Sequence, residues 1–437
     1  MNWFSFFETN TQRNHSFGRG INADLSKLEE ELFDKSYESF EKNDILDAYE
    51  YFLNSLENFT DENSNKNIIT SRDDEKLNFT LFQGSAKITG YITEKYLCAQ
   101  VIMIKKDKAN VALKRRLLER NYQFTYANYF SDDEYIKLKL YHDNITMSPH
   151  KVFFPLRELA LNADFDKEYI KSEFDNIELE DIQHLNKINE DELKLKYDFL
   201  QRWILELENK VATLPSNDNA GMQSFIYLNI FFKIDYLIVP HYNIYQKTTK
   251  KIQEFFSEEN LITEAKNEEL KEYLDELKNT SFENFSKNFY NAKYTFNQIE
   301  KTSNEEINIF IRESLIKIRW YKNNRYKQII PTIYKYISFY ILYNYGLNPV
   351  TKELFHTLVE IQNQDFFKAI DYQTLYNEEN NSFSKRLIIS KIEDAITPFE
   401  HKYKSLEPFG AELNFSSLNE FSNSFYLQVQ NLNFEEI

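Results

Sequence analysis

The sequence predicts an α+β domain, an antiparallel sheet with flanking helices, followed by an all-helical domain built as a helical bundle. Three observations support this fold class. Between residues 77 and 142, apolar and polar residues alternate with the period of two that half-buried strands require. From about residue 192 onward, apolar residues recur at helical spacing. The 437 residues include only 7 glycines and 8 prolines, and this scarcity favours long helices with few tight turns.

The chain is expected to begin with an arm and two helices. Residues 1–21 are predicted to be loosely ordered, with His15 and the segment FGRG (17–20) exposed. Two amphipathic helices follow, because apolar residues share one face at 3.6-residue spacing over 25–40 and again over 45–56. The run TDENSNKNIITSRDDE (60–75) predicts a polar loop, since it is dense in Asn, Ser and Asp.

Five strands and two further helices are predicted next. KLNFTLF, AKITGYIT and YLCAQVIMI are separated by hairpin distances and predict a three-stranded antiparallel meander. VALKRRLLER (111–120) predicts a short helix with Leu113, Leu117 and Leu118 in the core and with Asn121 ending it in a left-handed conformation. YQFTYANYF and EYIKLKLYH, joined by SDD, predict another hairpin. Ser148 and Pro149 then begin a helix that runs to about residue 174.

This order of helix, strands, helix, strands and helix resembles the type III secretion chaperone-like fold, including its YbjN-type bacterial members. The residues that carry the resemblance are VALKRRLLERNYQFTYANYFSDDEYIKLKLYH (111–142) and the helix FPLRELALNADFDKEY (154–169). The similar region covers residues 20–174. The resemblance implies a small module for dimerisation and peptide binding that has no catalytic residues. Unlike that family, this chain continues well beyond the module.

We predict four segments: an arm (1–21), an α+β domain (22–174), an acidic connector (175–191) with few core contacts, and an all-helical domain (192–437). The helical domain opens with an uninterrupted heptad seam, which predicts either a long helix inside a bundle or an intermolecular coiled coil. The seam consists of Leu193, Tyr197, Leu200, Ile204, Leu207, Val211 and Leu214. Further helices are predicted over 220–239, 241–258, 261–279, 282–300, 303–326, 330–346, 350–370, 383–404 and 415–430.

Composition favours a cytoplasmic protein. Cys98 is the only cysteine, which excludes an internal disulfide framework. The first residues lack the basic and apolar regions of a secretory signal. Segments 222–239 and 329–345 are apolar but carry charges, so we interpret both as buried helices and predict no membrane association. The net charge of −17 makes general affinity for nucleic acid unfavourable.

Motifs of catalysis and cofactor binding are missing from the sequence. It contains no phosphate-binding glycine loop, no dinucleotide fingerprint, no zinc-protease helix and no nucleophile elbow. No two of its seven histidines are three or four residues apart, as helical metal sites require. We therefore predict no catalytic, cofactor-binding or metal-binding residues and no cofactor. Catalysis stays open, although the sequence favours a protein without it.

Two basic segments stand out against the acidic background. Residues 105–120 hold seven basic and two acidic residues, which predict either a solvated helix face or a docking patch. Such a patch would bind an acidic partner or the chain's own acidic helical domain. The basic residues are Lys105, Lys106, Lys108, Lys114, Arg115, Arg116 and Arg120. A weaker candidate, KIRWYKNNRYK (317–327), mixes aromatic and basic residues as single-strand nucleic-acid sites do, but it also fits a packed helix end. Its candidates are Arg319, Trp320, Lys322 and Arg325.

The combined prediction is a non-catalytic bacterial protein-binding module that acts as a chaperone, adaptor or scaffold. Its partner would be a protein or peptide, or a second copy of the chain. Two alternatives remain. One is an enzyme whose site is assembled inside the helical domain. The other is a nucleic-acid-associated protein that uses the two basic segments.

Overall fold

The computed structural model describes residues 15–19, 25–57, 66–174, 176–215, 217 and 219–437. Its first region begins with two packed helices, α1 (Lys27–Glu41) and α2 (Ile45–Ser55). Ser26 starts α1 with a reciprocal capping box, in which its side chain accepts from the Glu29 amide and the Glu29 carboxylate accepts from the Ser26 amide. The two predicted N-terminal helices are therefore present.

A six-stranded antiparallel sheet forms the centre of this region. Its strands lie in the order β1-β2-β3-β4-β6-β5, so β1 and β5 are the edges. Strand β1 was not predicted, because its residues were assigned to a polar loop. It pairs with β2, and its Ile68 lies in the core with only 3% of its surface exposed. The bounds are β1 (Ile68–Arg72), β2 (Leu77–Gln83), β3 (Ala86–Ile92), β4 (Tyr96–Lys105), β5 (Ala127–Ser131) and β6 (Tyr135–Asp143).

Two further helices complete the first core: α3 (Val111–Arg120), which packs beside β5, and α4 (Pro149–Glu173), which contacts five of the strands. Leu113 and Leu117 enter this core, as predicted. Asn121 does not end α3 in a left-handed conformation: its φ is −59°. Its side chain instead bonds the backbone of β5, which removes the need for a left-handed cap.

The rest of the chain is largely helical, which confirms the predicted fold class. Two small two-stranded sheets interrupt it, β7 (Tyr376–Asn377) with β8 (Ser382–Phe383) and β9 (Tyr403–Ser405) with β10 (Asn433–Glu436). The helices are α5 (Glu190–Ala212), α6 (Ala220–Lys233) continued by a π-helical turn (Ile234–Ile238), α7 (Tyr242–Ser257), α8 (Thr263–Asn279), α9 (Phe282–Ser286), α10 (Asn304–Asn323), α11 (Ile330–Asn344), α12 (Pro349–Gln362), α13 (Gln364–Ala369), α14 (Lys385–Ile396) and α15 (Leu418–Asn431).

The heptad seam of α5 packs against α6, α8 and α9 of the same chain. Leu200 and Ile204 are each 1% exposed, so the seam forms part of an intramolecular bundle. Helix α11 is largely buried, with Ile333, Ile337 and Ile341 fully enclosed. None of the helices in the described ranges is both long and apolar enough to cross a membrane.

The predicted helix over 282–300 ends early, at Ser286. The following residues instead run along the first region. The amide nitrogens of Thr295 and Phe296 both donate to Gln83 Oε1, at 3.0 and 2.8 Å, and the Phe296 ring is buried in the first core. These hydrogen bonds to a distant part of the chain satisfy two backbone amides that would otherwise bond within a helix.

The connector makes more contacts with the first core than predicted. Ile177 and Leu179 are buried in the first core, and the Glu180 amide donates to the carbonyl of Met103 at 3.0 Å. Asp181 is paired with Lys87 at 2.9 Å. The acidic composition of the connector indicated a segment exposed to solvent. Its apolar residues Ile177 and Leu179 instead pack it against the sheet.

The residues expected to form an exposed arm are also packed. The ring of Phe17 lies 5.0 Å from His356 and 5.2 Å from Phe367, measured between ring centroids. Gly18 donates its amide to the carbonyl of Tyr236 at 2.8 Å, and Arg19 is 8% exposed. The prediction of exposure was wrong for His15 and for residues 17–19, because these residues have partners in the helical region, whereas Ser16 is exposed. Residues 1–14, 20 and 21 of the predicted arm lie outside the described residues.

Candidate docking surface

The outer face of α3 exposes apolar side chains. Asn110 caps the helix by accepting from the Leu113 amide at 2.8 Å, and this start turns Leu113 and Leu117 towards the sheet. The opposite side presents three large exposed residues, Val111 (74%), Leu118 (64%) and Tyr122 (94%). The prediction that Leu118 is a core residue was therefore wrong. Successive helix positions differ by about 100°, so Leu118 cannot share the narrow contact that Leu117 makes.

Five of the seven predicted docking residues are exposed: Lys105, Lys106, Lys108, Lys114 and Arg115. Of these, Lys114 and Arg115 belong to α3. Lys106 Nζ donates to the carbonyl of Asp132 at 2.8 Å. Within the described ranges, Lys114 and Arg115 form no ion pair. We call Val111, Lys114, Arg115, Leu118 and Tyr122 the α3 surface. Its charges are available to a partner.

The other two predicted docking residues are turned inward. The guanidinium of Arg116 stacks on the Tyr169 ring, 3.4 Å from its centroid. Arg120 Nε donates to both carboxylate oxygens of Asp166, at 3.1 and 3.0 Å. Both arginines therefore fasten α3 to α4, and they orient the α3 surface rather than contributing charge to it.

Asp166 of α4 is the residue that connects α3 with two neighbouring elements. It is 1% exposed and also accepts from the Tyr129 hydroxyl at 2.7 Å, so α3, α4 and β5 meet at one carboxylate. Burial, and then the nearby charge of Asp166, raise the pKa of Tyr129 well above its usual value. The tyrosine therefore remains a donor, and the surface rests on a fixed base.

The weaker candidate lies at the end of α10 and is also exposed. Arg319, Lys322 and Arg325 face solvent, and Lys322 lies 3.9 Å from Glu420. Trp320 is 54% exposed and stacks on Tyr326 with ring centroids 6.2 Å apart. The predicted packing of Trp320 into a buried stripe is therefore not observed, although Ile318 beside it is buried.

A buried polar cluster that the sequence did not reveal joins the first region to the helical region. Arg19 Nε donates to Asp235 Oδ1 at 3.2 Å, and its guanidinium lies 3.7 Å from the centroid of Tyr245. Glu168 of α4 accepts from the hydroxyl of Tyr290 and contacts His241 Nδ1 at 3.0 Å. More than 200 residues separate Arg19 from Asp235, so no local motif could have indicated the pair.

The protonation states of this cluster follow from its neighbours. Burial alone would raise the pKa of Glu168, but the hydrogen bond and charge of His241, then Arg19, lower it below its usual range. Glu168 is therefore ionised, and His241, whose pKa is lowered by burial, contacts both Glu168 at 3.0 Å and Arg19 Nη1 at 3.2 Å through Nδ1. Burial, and then the charge of Glu168, raise the pKa of Asp164 to about 7.

A cleft of 850 Å³ opens beside Arg19, between the residues before α10, α7 and the end of α11. It is large enough for a small ligand. Six of its lining residues are Arg19, Asp235, Tyr245, Thr249, Tyr343 and Lys352. Across the described chain, no three His, Cys, Asp or Glu residues are grouped so that they could hold a metal ion.

Comparison with known proteins leaves the site to be interpreted from its own chemistry. No family model matches the chain, and no curated protein matches it.

Proposed function

We propose that this protein is a non-catalytic protein-binding module, a bacterial adaptor or chaperone, which holds an acidic segment of another protein on the α3 surface. The observation that carries the proposal is the exposure of Val111, Leu118 and Tyr122 beside Lys114 and Arg115. Large apolar side chains that are grouped and rimmed by charge favour an interaction site. The resemblance of residues 111–169 to a peptide-binding family supports the same function.

The charges of the α3 surface favour an acidic partner. The chain as a whole is strongly acidic, with a net charge of −17, so an acidic partner is repelled by most of its surface. It would be attracted where Lys114 and Arg115 lack carboxylate partners. Such complementarity steers encounter and fixes orientation, while the apolar residues supply most of the affinity.

A second copy of the chain fits this surface less well than a different protein. In a two-fold dimer the same patch lies on both sides of the interface, so Lys114 and Arg115 of the two copies would be brought close together. Repulsion between like charges opposes that arrangement. We therefore commit to an acidic, partly apolar segment of another protein. The proposal places the protein in the cytoplasm, where its buried Cys98 would stay reduced.

The test compares two matched triple variants of the full chain. One removes the α3 surface, Lys114→Ser with Arg115→Ser and Leu118→Ser. The control removes one exposed aliphatic, one lysine and one arginine from α10, Ile316→Ser with Lys317→Ser and Arg319→Ser. Proteins that co-purify with the tagged wild-type chain are identified by mass spectrometry, and each candidate is then titrated, purified, against all three chains.

Support requires a purified acidic partner whose affinity falls by roughly tenfold or more in the α3 variant but not in the α10 control. Its binding should also weaken as salt is raised, because exposed charges are screened. Three results would refute the proposal: partners that bind both variants equally, nucleic acid as the only bound species, or self-association that the α3 variant abolishes.

A further inference from the structure

Three lysines converge from three helices of the helical region, away from the α3 surface. Lys210 of α5 donates from Nζ to the hydroxyl of Thr332 on α11. Lys335 follows Thr332 by one helical turn, so both lie on the same side of α11. Helix α6 packs against both α5 and α11, and its Lys233 places Nζ 3.7 Å from the centroid of the Trp203 ring. Trp203 lies two turns before Lys210 on α5.

These three lysines lack the carboxylate partners that Lys196 and Lys391 have. Lys196 is paired with Glu192 at 3.1 Å, and Lys391 with Glu360 at 2.9 Å. By contrast, Lys210, Lys233 and Lys335 have no carboxylate oxygen within 4 Å among the described residues. Lys167, which is fully buried, also lacks a carboxylate partner in those ranges, but it donates to the carbonyl of Glu180 at 2.7 Å. Lys233 is only 8% exposed. A buried cation without a counter-charge is costly even where it contacts a ring or a hydroxyl, so its retention needs an explanation.

The charge of Lys335 acts on both of the other ammonium groups. Burial, and then the charge of Lys335, lower the pKa of Lys233 to about 7 and that of Lys210 to about 8. The pKa of Lys335 is lowered by burial. More distant charges also face the cluster: Asp365, Glu206 and Glu378 favour protonation, and Arg202 opposes it. Asp365 is already paired with Arg202 at 2.5 Å, so it does not neutralise the cluster.

Two buried polar atoms near the cluster also lack partners. The indole nitrogen of Trp203, a residue only 2% exposed, donates to no acceptor in the described ranges. Asn229 lies one turn before Lys233 on α6, and its carbonyl oxygen accepts no hydrogen bond from the described residues. Of the two atoms, the Trp203 N–H is a donor that a bound anion would satisfy, whereas the Asn229 oxygen is an acceptor and does not itself favour an anion.

We propose that Lys210, Lys233 and Lys335, together with the Thr332 hydroxyl, form a binding site for a phosphate-type oxyanion. Ammonium groups bind phosphate as point charges, and a phosphate dianion offers them several strong acceptor oxygens. A single carboxylate would leave more of the cluster's charge unbalanced. Bound anion favours the charged form of each lysine, so the lysines take up protons when the anion binds.

The test titrates the full chain with inorganic phosphate and with pyrophosphate by isothermal calorimetry, in two buffers of different ionisation enthalpy. Variants Lys233→Met and Lys335→Met each remove one ammonium group and retain a long side chain. Lys233→Met should fold, since it removes an unpaired buried charge, and its unfolding curve verifies this. Lys317→Met, an exposed lysine of α10, is the control for non-specific charge.

We expect phosphate or pyrophosphate to bind with proton uptake, and each cluster variant to weaken binding by roughly tenfold or more while the control does not. Sulfate, whose own charge does not change near neutral pH, should bind more weakly as pH rises above about 7, because Lys233 and Lys210 lose their protons. Absence of binding, equal binding by Lys233→Met, or sulfate affinity that rises with pH would overturn the proposal.

Discussion

Leu117 and Leu118 are neighbours in sequence but occupy opposite environments, at 3% and 64% exposure. Leu117→Ala should lower the free energy of unfolding by about 2–5 kcal/mol, because it leaves a cavity between α3 and the sheet. Leu118→Ala should change it by no more than about 0.5 kcal/mol, since the side chain already contacts water. Urea denaturation of both variants measures the difference, and equal losses would contradict the orientation of α3.

Asp164 should make stability depend on pH. Its carboxylate accepts from the amide and hydroxyl of Ser85 at 2.7 and 2.8 Å, yet burial and Glu168 raise its pKa to about 7. The folded state therefore holds this proton more tightly than the unfolded state does. The stabilisation is complete below about pH 4 and is lost as pH rises through about 7.

Asp164→Asn keeps an oxygen that can accept from Ser85 but cannot ionise. We expect the variant to gain stability relative to the wild type on going from about pH 4 to about pH 8, by roughly 1–3 kcal/mol. Denaturant unfolding at several pH values measures this change. A constant difference between the two proteins over that range would show that Asp164 does not titrate there.

Among the elements, strand β5 shows how an edge of the sheet is closed. Asn121 accepts from the Tyr129 amide at 2.6 Å and donates to its carbonyl at 3.3 Å, as a neighbouring strand would. Glu158 accepts from three amides just before and at the start of the strand, those of residues 125–127. Edge strands with free backbone groups invite association, so these two side chains protect the sheet.

Asn121→Ala should therefore open this edge. We expect a loss of about 1–2 kcal/mol from two missing hydrogen bonds, and association that increases with protein concentration. Asn128→Ala is the matched control, because Asn128 lies on the same strand with an exposed side chain. Denaturation and light scattering measure the two effects. If both variants stay equally monomeric, Asn121 is only a local hydrogen-bonding residue.

Most of the elements could be predicted from the sequence because their signals are local. The alternation in β2, β3, β4 and β6 and the periodicity of α5 come from short runs of residues. Strand β1 could not be recognised in this way, because Ile68 alone is buried in a polar run. The predicted helix after Ser286 failed for a different reason: its backbone groups bond to Gln83, about 200 residues away.

On the scale of the whole molecule, the segment 15–19 belongs to the helical core. Phe17→Ala should lower the free energy of unfolding by about 1–3 kcal/mol, less than a fully buried ring would, because Phe17 is only half-buried. Hydrogen exchange should accelerate around residues 236 and 356–372 but not in the sheet. Phe154→Ala, at a ring that is 49% exposed, is the control and should have little effect.

Separation along the sequence also limited how well the candidate sites could be predicted. The basic residues of 105–120 are close together in the chain, and five of the seven are exposed. Arg116 and Arg120 could not be separated from them, because only their partners on α4 turn them inward. The lysine cluster and the Arg19 cluster were not recognised, since each unites residues from distant helices.

The packing of Phe17 has a consequence for the order in which the protein can be made. Its partners extend to Tyr372, so the ribosome must add about 350 more residues before this contact can form. At roughly 5–20 residues per second, the segment waits on the order of tens of seconds with its ring unburied. The sheet can be complete long before then. Residues 15–19 therefore close the helical region late, although they leave the ribosome well before the residues that they pack against.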